Sequence, residues 1–312
     1  VEGQSHLRAE VAAGNLKVVI AVIADFAERA GKGVIVHFLT PAGGGVGDDV
    51  LILARVAVNV QRKELFGIID KPMLGDAYRP IDRPGIFYKK PSIWSAIYRR
   101  DFLNENSIRF LPTPGASYQD AGFNFKVWAC AQRAAFIDNP ILCYRQDNEK
   151  SSVNSPNKVF CVCDEYGEMQ RFLDDRPQLK NKLQGVLMRM KVDSYRWNDE
   201  RLVDSLRAEF WACASEELKQ DWDAGRVDLS LFDPRGETDL RLMIESPTAY
   251  IEKREDFRKP GKLNTFKHYF KIGGLPLVWR VLKYQRIYGH NEHPDDCTVA
   301  ASKSKSSEAE ER

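Results

Sequence analysis

From residue 159 onward, apolar side chains return every three to four positions. Val162, Tyr166, Met169 and Leu173 form one stripe that stops ahead of Pro177, Leu179, Leu183, Val186, Leu187 and Met190 form a second, and Leu202, Leu206, Phe210 and Cys213 a third. This spacing matches the 3.6-residue turn of an α-helix. A helix with one apolar stripe is stable only when that stripe is covered, so residues 159–250 predict a helical layer packed on what precedes it.

Upstream the elements shorten. Ile93 to Tyr98 carries Ile, Trp, Ile and Tyr and predicts a strand. Residues 99–106 predict a short helix starting near Asp101. Pro112 and Pro114 remove backbone donors and disfavour helix before them, so residues 109–117 are expected to be extended and turning, and a loop delivers Asp120. After it, Phe123, Val127, Cys130 and Ala131 mark an apolar helix face. Residues 134–146 read as two short strands meeting at Asn139-Pro140.

The first 68 residues differ in kind. Half of the first 60 are Val, Ala or Gly, and residues 1–68 contain no Tyr, Trp or Cys. Residues 16–30 suit a strand or a helix, and residues 33–39 a short strand. The contrast, with Val at position 1, predicts a fragment or a beginning that has been processed or fused. The expected organisation is an atypical segment over 1–70, an α/β region over 71–158, a helical extension over 159–289 and a polar, aperiodic, disordered tail over 290–312.

Composition narrows the chemistry. Of the 312 residues, 43% are hydrophobic and 29% charged, the balance of a globular protein. A formal charge of +2 gives no overall basic surface for nucleic acid. The longest apolar stretch, Leu16 to Ala27, is interrupted by Lys17 and Asp25 and is shorter than the about 20 residues a membrane span requires. No signal-peptide order of charge, apolar centre and small-residue site is read, so a cytoplasmic location is expected. Cys130, Cys143 and Cys213 sit in apolar surroundings that suit buried thiols, and the Cys161-x-Cys163 pair and the five scattered histidines lack the further ligands a zinc site needs. "TPAGGGVGDD" at 40–49 is glycine-rich but has neither the Gly-Lys-Ser/Thr ending nor the Gly-x-Gly-x-x-Gly spacing of phosphate cradles, and suits a loop.

Three strings carry a resemblance: "PSIWSAIYRRDFL" at 91–103, "FLPTPGASYQDAGFNFKVWACA" at 110–131, and "YRQDNEKSSVNS" with "KVFCVCDEY" reaching Tyr166. In this order they resemble the second half of bacterial family 2 glycosyltransferases, the inverting enzymes of GT-A fold that build capsule, lipopolysaccharide and cell-wall polysaccharides. The resemblance covers roughly residues 70–288. It implies an α/β fold with a partial GT-A-like, nucleotide-diphospho-sugar transferase domain followed by a mainly helical region. It also implies a nucleotide-sugar donor, a glycan or lipid-linked acceptor, and a divalent metal, Mg²⁺ or Mn²⁺. The family's donor-half motifs, including its Asp-x-Asp metal site, are not found in residues 1–86, so no metal ligand is assigned.

The family's catalytic base maps onto Asp120. A carboxylate there can take the proton of an acceptor hydroxyl, and the same residue can serve as a helix cap. Gln119 and Tyr118 are expected to line the same cleft, Tyr118 either packing or meeting a sugar face. Trp94 suits a pocket wall or a core position. Arg145, Gln146, Asp147 and Asn148 fall near where the family handles a diphosphate, and Arg145 suits bidentate phosphate contact or plain solvent exposure. Residues 262–289 mix Lys and Arg with Phe, Tyr, Leu and Trp around a Gly273-Gly274-x-Pro276 break. They suit a helix lying on the inner face of the cell membrane or one packed on the domain. Two functions follow: a glycosyltransferase whose activity depends on a donor half, or a non-catalytic carbohydrate-binding protein derived from one.

Overall fold

The computed structural model describes residues 50–53, 55–57, 65–67, 73–74, 76–112, 118–137, 159–257 and 262–288. The elements expected at 16–30 and 33–39, the glycine-rich 40–49, the second strand after Asn139-Pro140, Cys143 and the 290–312 tail lie outside the described residues. The described strands are β1 (Val50–Leu53), β2 (Arg55–Ala57), β3 (Leu65–Gly67), β4 (Ala96–Tyr98) and β5 (Ala134–Ile137). The helices are α1 (Arg100–Glu105), α2 (Gln119–Cys130), α3 (Cys161–Asp174), α4 (Pro177–Arg201), α5 (Asp204–Asp223), α6 (Pro234–Glu245), α7 (Pro247–Phe257) and α8 (Lys262–Tyr288). The described chain is therefore mainly helical, and the α/β character expected of its first half reduces to short strands.

The chain divides into two compact units, Val1–Phe110 with Phe123–Glu149, and Leu111–Gly122 with Lys150–Arg312. In the first unit β1 is the middle strand of a three-stranded sheet in the order β4-β1-β5. It runs antiparallel to β4, with Leu51 opposite Ile97, and parallel to β5, with Ile52 opposite Phe136. β2 and β3 form a separate antiparallel pair. The strand expected over Ile93–Tyr98 is shorter: Ile93–Ser95 is a 3₁₀ turn, because Ser95 Oγ donates to the Ser92 carbonyl at 2.7 Å and closes the chain locally before β4 begins.

The core of this unit is aromatic. Phe87 meets Phe125 edge-on at 5.6 Å, Tyr98 meets Phe123 at 5.2 Å, and Phe110 stacks on Phe123 at 4.4 Å. An apolar face on α2 was expected, but every residue from Ala121 to Ala131 is buried. Its polar members persist because they are hydrogen-bonded. Tyr98 donates to Asn124 Oδ1 at 3.3 Å, and Lys126 Nζ donates to the Arg109 carbonyl at 3.2 Å.

The second unit is helical. Val162, Tyr166, Met169 and Leu173 on α3, and Leu183, Val186 and Leu187 on α4, are buried as their spacing predicts. α5 starts at Asp204, leaving Leu202 in the link before it. Its inward residues are Phe210, Trp211, Ala214 and Leu218, so Cys213 faces out and is exposed rather than buried. Tyr166, Tyr195, Phe210, Trp211 and Tyr250 form a chain of edge-on rings at 4.8 to 6.1 Å that links α3, α4, α5 and α7. α8 bends at Gly274, whose φ of 64° and ψ of −163° suit glycine alone, so the expected break is present. Among the described residues no helix is long and apolar enough to cross a membrane.

Candidate functional site

The start of α2 collects three of the residues singled out in the sequence. Tyr118 has a φ of 62°, a left-handed backbone uncommon for a residue with a side chain. Two local bonds hold the turn: the Tyr118 carbonyl accepts from Ala121 N at 2.9 Å, and Gln119 Nε2 donates to the Leu111 carbonyl at 3.0 Å. Asp120 lies in the first turn of the helix itself, not in a loop before it. Its Oδ1 accepts from Ala121 N at 2.9 Å, and the side chain is half-buried.

Tyr118 reaches across to α4. Its hydroxyl donates to Asn198 Oδ1 at 2.6 Å and accepts from Arg201 Nη1 at 3.3 Å. Asn198 is buried and donates to the Val159 carbonyl at 3.1 Å, so a single amide fixes both the tyrosine and the chain entering α3. Trp197 meets the Tyr118 ring edge-on at 5.7 Å and lies under the Arg201 guanidinium at 4.3 Å, yet it is 48% exposed. Burial pushes the Tyr118 hydroxyl up to about 12 against the opposing influence of Arg201, so the ring stays neutral and its hydroxyl keeps its proton.

Beside this cluster Gly122 lets the helix pass close to the buried Glu165 carboxylate on α3, where a Cβ would collide. The site is thus a neutral tyrosine, a half-buried carboxylate, and a half-exposed indole roofed by a guanidinium. A half-exposed indole can pack on the apolar side of a sugar ring, and a half-buried carboxylate can accept a hydrogen bond from a hydroxyl.

The chain matches no protein-family model and no curated protein. The functional reading therefore rests on the residues themselves.

Trp94 belongs to the first unit, within the 3₁₀ turn, and its side chain lies outside the described residues. Arg145, Gln146, Asp147 and Asn148 also lie outside them. Trp197, Asn198 and Arg201 were not singled out beforehand. An aromatic and an arginine four residues apart on an otherwise polar helical stretch was the available signal, but it does not reveal that Tyr118, some 80 positions earlier, would meet them.

Asp120 lines neither the cleft that holds Arg189 and Tyr250 nor the one that holds Lys191 and Glu217. Among the described residues the one group of three metal-ligating side chains is Cys163, Cys213 and Glu217. Burial pushes the Cys163 thiol up to about 12 and also raises Cys213. Protonated thiols are poor ligands, and soft sulfur does not suit Mg²⁺ or Mn²⁺. This group does not fit the metal that the family resemblance implies.

Proposed function

We propose that the second unit carries the acceptor side of an inverting glycosyltransferase, with Asp120 as general base. The supporting observation is the Tyr118–Trp197–Arg201 cluster at the start of α2, where Tyr118, with its left-handed backbone, meets the half-exposed Trp197 and stands two residues ahead of the half-buried Asp120. Strain of this kind costs on the order of 1 to 3 kcal/mol and persists only where surrounding contacts hold it. Here the bonds to Asn198 and Arg201 do so.

In the proposed reaction the Asp120 carboxylate removes the proton of an acceptor hydroxyl. The freed oxygen bonds to the anomeric carbon from the side opposite the leaving group, the bond to the nucleoside diphosphate breaks, and the diphosphate departs with the electron pair. Configuration inverts. Tyr118 and Gln119 help shape the acceptor site, with Trp197 beneath a ring of a glycan or lipid-linked acceptor. Donor-diphosphate contacts are assigned to Arg145 and its neighbours 146–148 by the resemblance alone.

α8 supports a setting at a membrane surface. It buries Tyr269, Leu277, Val278 and Val281 while Leu263, Phe266, Phe270, Trp279 and Leu282 remain exposed among lysines and arginines. A second reading, a carbohydrate-binding protein without turnover, is favoured by the poor match between the described metal-ligating group and Mg²⁺ or Mn²⁺. Incubation with a panel of nucleotide sugars, Mn²⁺ and glycan acceptors separates the two. Turnover that falls at least about 100-fold in Asp120→Asn supports the base, whereas glycan binding without turnover supports the second reading.

A further inference from the structure

We propose that a cleft enclosed by α4, α6, α7 and α8 binds a small phosphate-class oxyanion. This inference concerns a different part of the second unit from Asp120 and stands independently of its role. The cleft has a cavity volume of about 70 Å³, room for several waters or one tetrahedral oxyanion. Its lining includes Arg189, Arg196, Arg235, Lys253 and Arg254, facing two carboxylates, Asp233 and Asp239.

Most of these charges have partners. Arg189 Nε donates to Asp193 at 3.0 Å, Arg235 Nε donates to Asp233 at 2.9 Å, and Arg196 lies 3.7 Å from Asp239. Arg254 lies 3.6 Å from Asp199 and also meets the half-exposed Glu200. Solvent screens Glu200 strongly. The five cations thus face Asp193, Asp199, Asp233 and Asp239, with the screened Glu200 as a fifth carboxylate, so charge is nearly balanced.

Two buried donors decide the reading. Arg189, whose side chain is 1% exposed, has no hydrogen-bond acceptor for Nη1 among the described residues, and neither has the hydroxyl of Tyr250, 2% exposed. Both residues line the cleft. A buried donor without an acceptor costs about 1 to 3 kcal/mol, so two in one polar cavity call for an acceptor within it. Gly236 lets α6 pass close to this guanidinium, since a Cβ there would lie 2.8 Å from Arg189 Nη1, and the guanidinium also lies 4.8 Å from the centre of the Phe232 ring. A tetrahedral oxyanion supplies several acceptors at once and pairs with guanidinium groups in their forked geometry. The free anion and the phosphate of a lipid headgroup share this chemistry.

The test uses the full chain. Inorganic phosphate is titrated by calorimetry, and melting is followed in phosphate against chloride at equal ionic strength. Arg189→Met would also strip Asp193 of one of its partners, so Tyr250→Phe and Lys253→Gln carry the comparison. Tyr250→Phe removes a hydroxyl that has no hydrogen-bond partner among the described residues and should leave the unliganded melting temperature unchanged or slightly raised. One saturable phosphate site, weakened about tenfold or more in both variants, supports the proposal. Glycerol 3-phosphate and phosphatidylcholine vesicles with or without phosphatidate then assign the source. Phosphatidate-dependent vesicle binding that phosphate competes away and Tyr250→Phe weakens points to the headgroup, and phosphate binding without it points to the free anion. Melting no higher in phosphate than in chloride, or unchanged phosphate affinity in both variants, overturns the proposal.

Discussion

Replacing Asp199 with asparagine should destabilise the helical unit by about 3 kcal/mol, because this carboxylate is the hub of a buried network. Its Oδ1 accepts from Trp211 Nε1 at 2.9 Å and lies 2.9 Å from Arg207 Nε, as an ion pair without hydrogen-bond alignment, while Oδ2 is 3.6 Å from Arg254 Nε. The Asp199 side chain is 2% exposed and that of Arg207 5%. Removing one partner of a buried ion pair typically costs about 3 to 5 kcal/mol, since the remaining charge stays desolvated. The lower end applies here. Asparagine can still accept from Trp211, and Arg207 keeps Asp204 at 3.0 Å together with the carbonyls of Asp199 and Leu202. For a unit of this size the loss corresponds to a fall of roughly 6 to 12 °C in melting temperature. Asp204→Asn is the control, because Asp204 is 94% exposed and should change stability by less than about 0.5 kcal/mol. Thermal and urea unfolding of both variants provide the measurement. A loss below 1 kcal/mol for Asp199→Asn, or equal losses for the two, would show that burial does not control the energetics of this network.

Other consequences can be checked directly. Tyr118 and Tyr78 are both pushed up to about 12 by burial, so the unfolded chain releases these protons first as pH rises above 10. Stability should therefore be retained below pH 10 and fall between pH 10 and 12. Tyr118→Phe should flatten part of that decline in pH-dependent unfolding. Gly274→Ala forces a side chain into a backbone region reserved for glycine and should cost about 1 to 3 kcal/mol, read as a lower urea midpoint. Neutralising Lys271, Arg280 and Lys283 together should weaken sedimentation with anionic vesicles by at least tenfold and leave neutral vesicles unaffected. Arg280 also contacts Glu237 at 2.6 Å, so the melting temperature of this triple variant is measured alongside.

How much of this was legible in the sequence depended on how local each cause was. The stripe Val162-Tyr166-Met169-Leu173 is fixed by helical period alone, and α3 buries those four residues. The break at Gly273-Gly274-x-Pro276 was readable for the same reason. Cys213 was misplaced because an apolar neighbourhood, "FWACA", does not show which way each side chain turns. Phe210, Trp211 and Ala214 define the inner face of α5, and that directs Cys213 outward. Lys126 and Asn124 were beyond reach because their partners, Arg109 and Tyr98, are 17 and 26 positions away. The candidate site shows the same limit. Asp120 was found through a string resemblance, whereas Asn198 and Arg201 matter through one tyrosine hydroxyl that only the folded chain brings to them.

One criterion separates the two charge-rich regions of the helical unit. At Asp199 the buried charges offset one another: Trp211 has its carboxylate, Arg207 two carboxylates and two carbonyls although its Nε is not aligned for a hydrogen bond, and Asn198 both of its partners. Such a network is neutralised within the polypeptide, and its removal should be felt in stability. At the cleft near α8, charge is nearly balanced, but Arg189 Nη1 and the Tyr250 hydroxyl lack acceptors among the described residues. A donor kept buried without a partner lowers stability unless something outside the polypeptide completes it. Mutations at Asp199 should therefore act on folding, whereas Tyr250→Phe should act on binding with little effect on folding. If both classes of variant changed melting temperature alike, unsatisfied donors would lose their value as markers of a ligand site in this protein.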